Sequence, residues 1–173
     1  TVEMASAVTR MPDAEQVLLA LTRQNAFVTR LPDGESFRFH HMMKECAERT
    51  FLTLPEERRS AYLDRFGLWY ENHRQYLHAM SVYRRSRNYD ALLRVIQNDA
   101  GILLASLNPS EVLAVMAKCP ASVLKEHPLA ILVLMRSMFN WRLIPKMLEM
   151  KSLLLAAIEE HPEMPQSERG DLL

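Results

Sequence analysis

The residues best suited to chemistry are the adjacent His40 and His41, with Cys46 five residues further on. Imidazole and thiolate groups bind zinc, but a structural zinc site needs four ligands and no fourth stands nearby. Cys46 and Cys119 have no convincing general base as partner, and no Ser, His and Asp form a known catalytic motif. We therefore expect no metal site, no catalytic residue and no enzyme activity in this chain.

The element that must position His40 is a predicted β-hairpin over residues 27–39. Phe27, Thr29 and Leu31 fall at every second position, and so do Phe37 and Phe39 after the turn. The turn sequence, 32–35, holds Pro and Asp, which favour turn starts, and Gly34, which allows a positive φ. This alternation predicts two strands with one apolar face.

Helices are predicted on both sides of this hairpin. Residues 1–12 show no period and are expected to be a linker or frayed tail. A capping box of Asp13 and Gln16 is expected to open a helix that stops near Asn25. Another helix is expected over residues 41–52.

From residue 53 onward the patterns predict only helices. A second capping box, Thr53 to Glu56, places Pro55 in a first turn, and two helices follow at about 75–86 and 89–99. Asn108 is an expected N-cap. Further helices begin after Pro120 and at Pro128, and the last runs from about residue 143 to 160, with Pro162 closing it.

The composition is that of an ordinary globular protein, and its net charge creates no overall electrostatic field. Hydrophobic residues make up 49% and charged residues 24%, and the formal net charge is zero. Nucleic acid, membrane surfaces and acidic substrates are therefore not indicated as partners by charge. Two cysteines are too few for a disulfide framework, which favours a reducing compartment.

We expect an interior segment of a longer protein, because the chain lacks a starting methionine and ends within an apparent helix. No apolar run reaches the roughly 20 residues that span a bilayer. The expected fold is all-α with one β-hairpin: a winged-helix-like start and then an array of α-helical hairpins of tetratricopeptide-like type. The expected divisions are 1–54, 55–107 and 108–173.

Several short motifs resemble one protein family in their order and spacing. They are Leu21-x-x-x-Asn25-x-Phe27, the run from Phe37 to Met43, Trp69-Tyr70-Glu71-Asn72 and His78-Ala79. This series is similar to the middle of the large ATP-dependent LuxR-type transcription regulators, the MalT-like group. Met42-Met43 stand where the family has Leu-Phe, Phe39 where it has Tyr and Ala26 where it has Leu, and all keep apolar character.

The resemblance implies a parent protein with a P-loop ATPase switch, a winged helix, a helical arm, a superhelical sensor and a C-terminal DNA-binding domain. This chain would cover the end of the winged helix, the arm and the start of the sensor. It holds no P-loop motif, so ATP or ADP would bind in the parent protein and no cofactor is expected in the fragment. The implied location is the bacterial cytoplasm, and the implied partners are the parent's other domains and an inducer or protein ligand at the helical array. No membrane partner is expected, and DNA would bind only through the missing C-terminal domain.

In switch ATPases of this kind, a histidine at the end of the winged-helix hairpin contacts the β-phosphate of ADP. The resemblance makes His40 a nucleotide-sensing candidate, since an imidazole can donate a hydrogen bond to an anion. The alternative is a histidine that caps the next helix. His41 stands where related switches often have an acidic residue.

Three other groups favour structural readings. Arg84, Arg85 and Arg87, with Arg74 before them, are expected on a solvated helix end, where cations offset the helix dipole. His78 and Ala79 are expected in helix packing. Met138, Phe139 and Trp141, if exposed, would mark the face that continues into further repeats.

The function expected is that of an interior helical fragment of a LuxR-type regulator, which couples a nucleotide switch to a sensor and carries out no chemistry itself. The alternative is a tetratricopeptide-like interaction scaffold with no role in DNA binding. A third class is a helical accessory domain of an enzyme.

Overall fold

In the computed structural model of the chain, residues 1–24, 27–99 and 102–160 are described. They form two compact units, divided between Ser86 and Arg87. The predictions that involve Asn25, Ala26 and Pro162 lie outside the described residues. None of the helices among the described residues is both long and apolar enough to cross a bilayer.

The first unit consists of five helices and a two-stranded antiparallel sheet among its described residues. In chain order these are α1 (Val2–Thr9), α2 (Ala14–Arg23), β1 (Val28–Arg30), β2 (Phe37–Phe39), α3 (His41–Thr53), α4 (Glu56–Asn72) and α5 (Tyr76–Ser86). Helix α1 contacts α2 and α4, and α2 contacts β1. The sheet therefore joins a helical body through α2, and α4 and α5 pack along one another.

The second unit is helical throughout its described part. Its helices are α6 (Tyr89–Asn98), α7 (Ile102–Ser106), α8 (Pro109–Met116), α9 (Ala121–Lys125), α10 (Pro128–Asn140) and α11 (Ile144–Glu160). The core is formed by side chains that are at most 1% exposed: Leu92, Leu93, Val95, Ile96, Leu104, Ile131, Leu134 and Met138. The ion pair of Lys125 with Glu160 links α9 to α11, and His127 Nε2 lies 2.8 Å from Asp90 Oδ1, which links the start of α10 to α6.

The predicted fold class is confirmed: the described chain is mostly helical with one small antiparallel sheet. Most predicted helices appear within a few residues of their expected bounds. Asn108 caps α8 as predicted, because its side chain accepts a hydrogen bond from the Ser110 backbone N–H at 3.0 Å. The predicted divisions at residues 54 and 107 stay predictions.

Three local predictions are wrong. Residues 1–12 are not a frayed tail, because α1 buries Val8 at 2% exposure. Asp13 precedes α2 without a side-chain cap bond. Thr53 is the last residue of α3 and donates its hydroxyl to the Thr50 carbonyl, so Pro55, not Thr53, precedes α4 as its cap residue.

Candidate functional site

The hairpin pairs Val28 with Phe39 and Arg30 with Phe37. Its inward residue on β1 is Val28, 5% exposed, and not Phe27, which is 59% exposed. The predicted phase of this strand is therefore wrong, because Phe27 adopts φ 58° and turns its side chain away before the strand begins. On β2 the alternation holds, since Phe37 and Phe39 are half-buried and the residue between them is exposed.

The turn of the hairpin is fixed by its own polar groups and by α1. Gly34 has φ 74°, the positive value expected for it. Hydrogen bonds from the side chain and backbone of Ser36, and then from the backbone of Glu35, hold the pKa of Asp33 below its usual value. The Val2 N–H donates to the Glu35 carbonyl at 3.0 Å, so the turn is tied to the start of α1.

His40 joins the end of the hairpin to the start of α3. Its backbone N–H donates to the Phe27 carbonyl at 2.8 Å, and its Nδ1 lies 3.4 Å from the Met42 backbone nitrogen. The side chain is exposed, with ring centroids 5.7 Å from Phe27 and 4.2 Å from His41. The hairpin thus holds His40 at a defined place on an open surface.

The capping contact determines which nitrogen of His40 carries the proton. Nδ1 accepts from the Met42 N–H, so the proton of the neutral ring sits on Nε2. No other described residue bonds to that nitrogen. Nε2–H is therefore a hydrogen-bond donor available to solvent or to a ligand, beside the positive end of a 13-residue helix.

The capping reading and the anion-binding reading of His40 are thus compatible. A histidine that only caps the helix would use Nδ1 alone, whereas here Nε2–H, on the far side of the ring from the capped Met42 N–H, is open to an oxyanion.

Cys46 does not join the two histidines in a metal site. It lines an apolar groove of about 480 Å³ between α1, α3 and α4, together with Val8, Phe51 and Tyr62. Among the residues that the structure describes, no three His, Cys, Asp or Glu side chains form a group that could hold a metal ion. Cys119 lies apart, in the second unit, where burial raises the pKa of its thiol to about 11.

A close helix contact that the sequence patterns did not predict lies between α4 and α5. Tyr83, 1% exposed, lies directly against Gly67, and its hydroxyl donates to Glu71 Oε2 at 3.0 Å. An isolated glycine inside a helical pattern was the available signal for this contact. Ala79 is fully buried, as expected for a packing residue. His78 stacks on Tyr70 of α4 at 5.1 Å but is otherwise exposed.

The four arginines lie at two helix ends, as predicted. Arg74 follows α4 and Arg87 follows α5, both with positive φ, at 56° and 58°. Arg84 and Arg85 lie in the last turn of α5. Cations at these positions interact favourably with the helix dipole.

Phe139 is 61% exposed, whereas Met138 beside it is fully buried. The condition set for an open face is therefore met by Phe139 and not by Met138, which faces the core of the second unit. Trp141 is partly exposed.

The first unit has the elements of a winged-helix domain: a small helical body, a hairpin wing and a helix that follows it. Residues 1–59 match the family model for the MalT winged helix domain. The match covers about a third of the chain and lies within the first unit. It supports a fragment of a MalT-type regulator. No curated protein and no solved structure matches the chain significantly.

Proposed function

We propose that this chain is an interior part of a LuxR-type transcription regulator, in which it couples a nucleotide switch to a sensor. The observation that carries the proposal is the winged-helix match of residues 1–59, together with the His40 that this domain presents at the end of its wing. The chain acts by packing and relative motion and catalyses nothing itself. ATP and ADP bind elsewhere in the parent protein, which acts in the bacterial cytoplasm and reaches DNA through another domain.

In this proposal His40 senses the nucleotide. The geometry supports the role through Nε2–H, which is a free donor as far as the described residues go and lies at an exposed position. Such a donor favours a phosphate oxygen. The helices that follow transmit a change at the wing to the sensor.

The parent gene gives the first test. A P-loop motif encoded upstream and a helix-turn-helix encoded downstream are expected. A complete gene that lacks both would contradict the regulator.

The role of His40 is tested in the full-length protein with His40→Asn. Asparagine is a good N-cap, so α3 keeps its cap while the Nε2–H donor is lost. We expect ADP to dissociate about 10-fold faster, the value of one charge-assisted hydrogen bond. His41→Asn is the matched control and is expected to leave ADP dissociation unchanged. Equal dissociation rates for wild type and His40→Asn would refute the nucleotide role.

One observation favours the alternative function, a tetratricopeptide-like interaction scaffold. Helices α10 and α11 carry exposed apolar side chains, among them Phe139 (61%), Leu148 (52%) and Leu155 (41%). Exposed apolar surface of this kind is common at protein-interaction sites. A parent protein that binds partners through this region, and that lacks both nucleotide and DNA binding, would favour the scaffold.

A further inference from the structure

The second unit contains a mixed polar and apolar cavity of about 640 Å³ between α7 and α10. This volume lies within the range of small-molecule sites, about 300–1,000 Å³. Val133, Arg136, Ser137 and Asn140 supply one wall. They are spaced i, i+3, i+4 and i+7 and therefore share one face of α10.

Arg136 gives the cavity its charge. Among the described lining residues it is the only charged one. It is exposed, and no described side chain forms an ion pair with it. An arginine with a free guanidinium presents five N–H donors in a planar fork that suits a carboxylate or a phosphate. The cavity therefore carries an uncompensated positive charge as far as the described residues show.

Asn140 lies four residues after Arg136 on the same helix face, so its side-chain amide can bind the same oxyanion as the guanidinium. Ser137, 8% exposed, donates its hydroxyl to the Val133 carbonyl at 3.1 Å. Its hydroxyl proton is thus already engaged and is not a donor for a ligand. These features place the oxyanion end of a ligand at the guanidinium and the amide.

Three of the last four carbonyls of α10 accept backbone hydrogen bonds, which reduces the opposition of the helix dipole to an anion at this end. The backbone N–H of Trp141 donates to Ser137, that of Arg142 to Phe139 and that of Leu143 to Met138, at 2.8–3.0 Å.

The remaining walls are apolar and aromatic. Ile102, 76% exposed, and Ala105 come from α7, and Trp141 lies at the end of α10. Exposure of a large aliphatic side chain next to an indole is unfavourable in water, and a ligand with an apolar body would cover it.

We propose that this cavity binds a small organic oxyanion, with its carboxylate or phosphate on Arg136 and Asn140 and its apolar body against Ile102 and Trp141. The inference rests on the cavity alone and does not depend on the proposed regulator. It names a ligand class that none of the comparisons with known proteins assigns.

The test uses the indole N–H resonances of the 15N-labelled 173-residue chain, since it contains two tryptophans. Trp141 lines the cavity, whereas Trp69 lies on α4 in the other unit and serves as the internal control. The probes are 3-phenylpropionate, phenyl phosphate and the neutral 3-phenylpropionamide. We expect the two anions to shift the Trp141 resonance in a saturable manner, with Trp69 unmoved, and the amide to bind about 10-fold more weakly or worse.

The variant Arg136→Gln is expected to weaken binding of the anions by about 10-fold or more. Arg142→Gln removes the same charge from a neighbouring residue outside the lining and is the matched control, with a change below about twofold expected, since it makes no direct hydrogen bond to the ligand. Circular dichroism checks that both variants fold. The tighter of the two anions identifies the head group as carboxylate or phosphate.

Three results would overturn the inference. The first is the absence of saturable shifts up to about 10 mM, a concentration at which even millimolar binding is visible. The second is that the neutral amide binds as tightly as the anions. The third is that Arg136→Gln binds the anions as tightly as the wild type. A failure here leaves the regulator proposal standing, because the gene test and the His40 test do not involve this cavity.

Discussion

The substitution Gly67→Ala isolates the contact that holds α4 against α5. A Cβ at residue 67 would lie 2.3 Å from Cε1 of Tyr83, 2.6 Å from Cζ and 2.7 Å from Cδ1. The obstacle is the flat face of a rigid ring that is 1% exposed, so it cannot swing into solvent. The two helices must separate, or the ring must move, by about 1 Å to restore ordinary contact distances.

The expected free-energy change combines two opposing terms. Overpacking a core contact costs about 1–3 kcal/mol, and replacing glycine by alanine inside a helix gains about 1 kcal/mol. Because the clash here is deep and involves a ring, we place the steric cost at the upper end. The variant is expected to lower the free energy of unfolding of the first unit by about 1–2 kcal/mol.

Urea denaturation followed by Trp69 fluorescence measures this change, in a Trp141→Phe background so that only the first unit reports. The Tyr83→Ala variant supplies the matched background. Without the ring, the same alanine at residue 67 is expected to be neutral or to stabilise by up to about 1 kcal/mol. If Gly67→Ala stabilises the protein while Tyr83 is present, the close approach described for α4 and α5 is wrong.

Three further changes test other parts of the fold. Val8→Ala is expected to cost about 1–2 kcal/mol of unfolding free energy, since Val8 is 2% exposed. The control Val17→Ala, at a 40% exposed position, is expected to cost less than about 0.5 kcal/mol. Equal losses in thermal unfolding would show that α1 does not pack against the first unit. Asn108→Ala removes the α8 cap and is expected to cost about 1 kcal/mol, whereas Asn108→Asp keeps it; similar melting temperatures for the two variants would argue against the cap. A thiol reagent at about pH 8 is expected to modify exposed Cys46 and spare Cys119, because the raised pKa of Cys119 leaves little thiolate until the pH nears 11. A second fast-reacting thiol in the native protein would contradict that burial.

Much of the helix layout was predictable, because proline and asparagine mark helix starts through local geometry. Pro128 opens α10 and Asn108 caps α8, as the sequence indicated. The Thr53 prediction was wrong for a local reason as well. Its hydroxyl bonds back to Thr50, and Pro55 keeps Leu54 out of the helical region, at ψ 149°.

The strand phase and α1 could not be read from local patterns. Phe27 looked like the inward residue because aromatic residues favour strands, but its positive φ turns it out and brings Val28 inward. Helix α1 has one buried residue, and an eight-residue helix is marginal in water without tertiary packing. Its contacts with α2 and α4 therefore decide whether it forms.

The candidate site shows the same division. The sequence by itself determined that a histidine ends a hairpin and begins a helix, because alternation, turn residues and helical periodicity are local properties of the chain. Only the tertiary structure decided that His40 is exposed, that its Nδ1 caps α3 and that Nε2 faces outward. It alone brought Arg136 and Asn140 to a cavity walled by Ile102, since the approach of α7 to α10 depends on how buried apolar surfaces fit and not on any short motif.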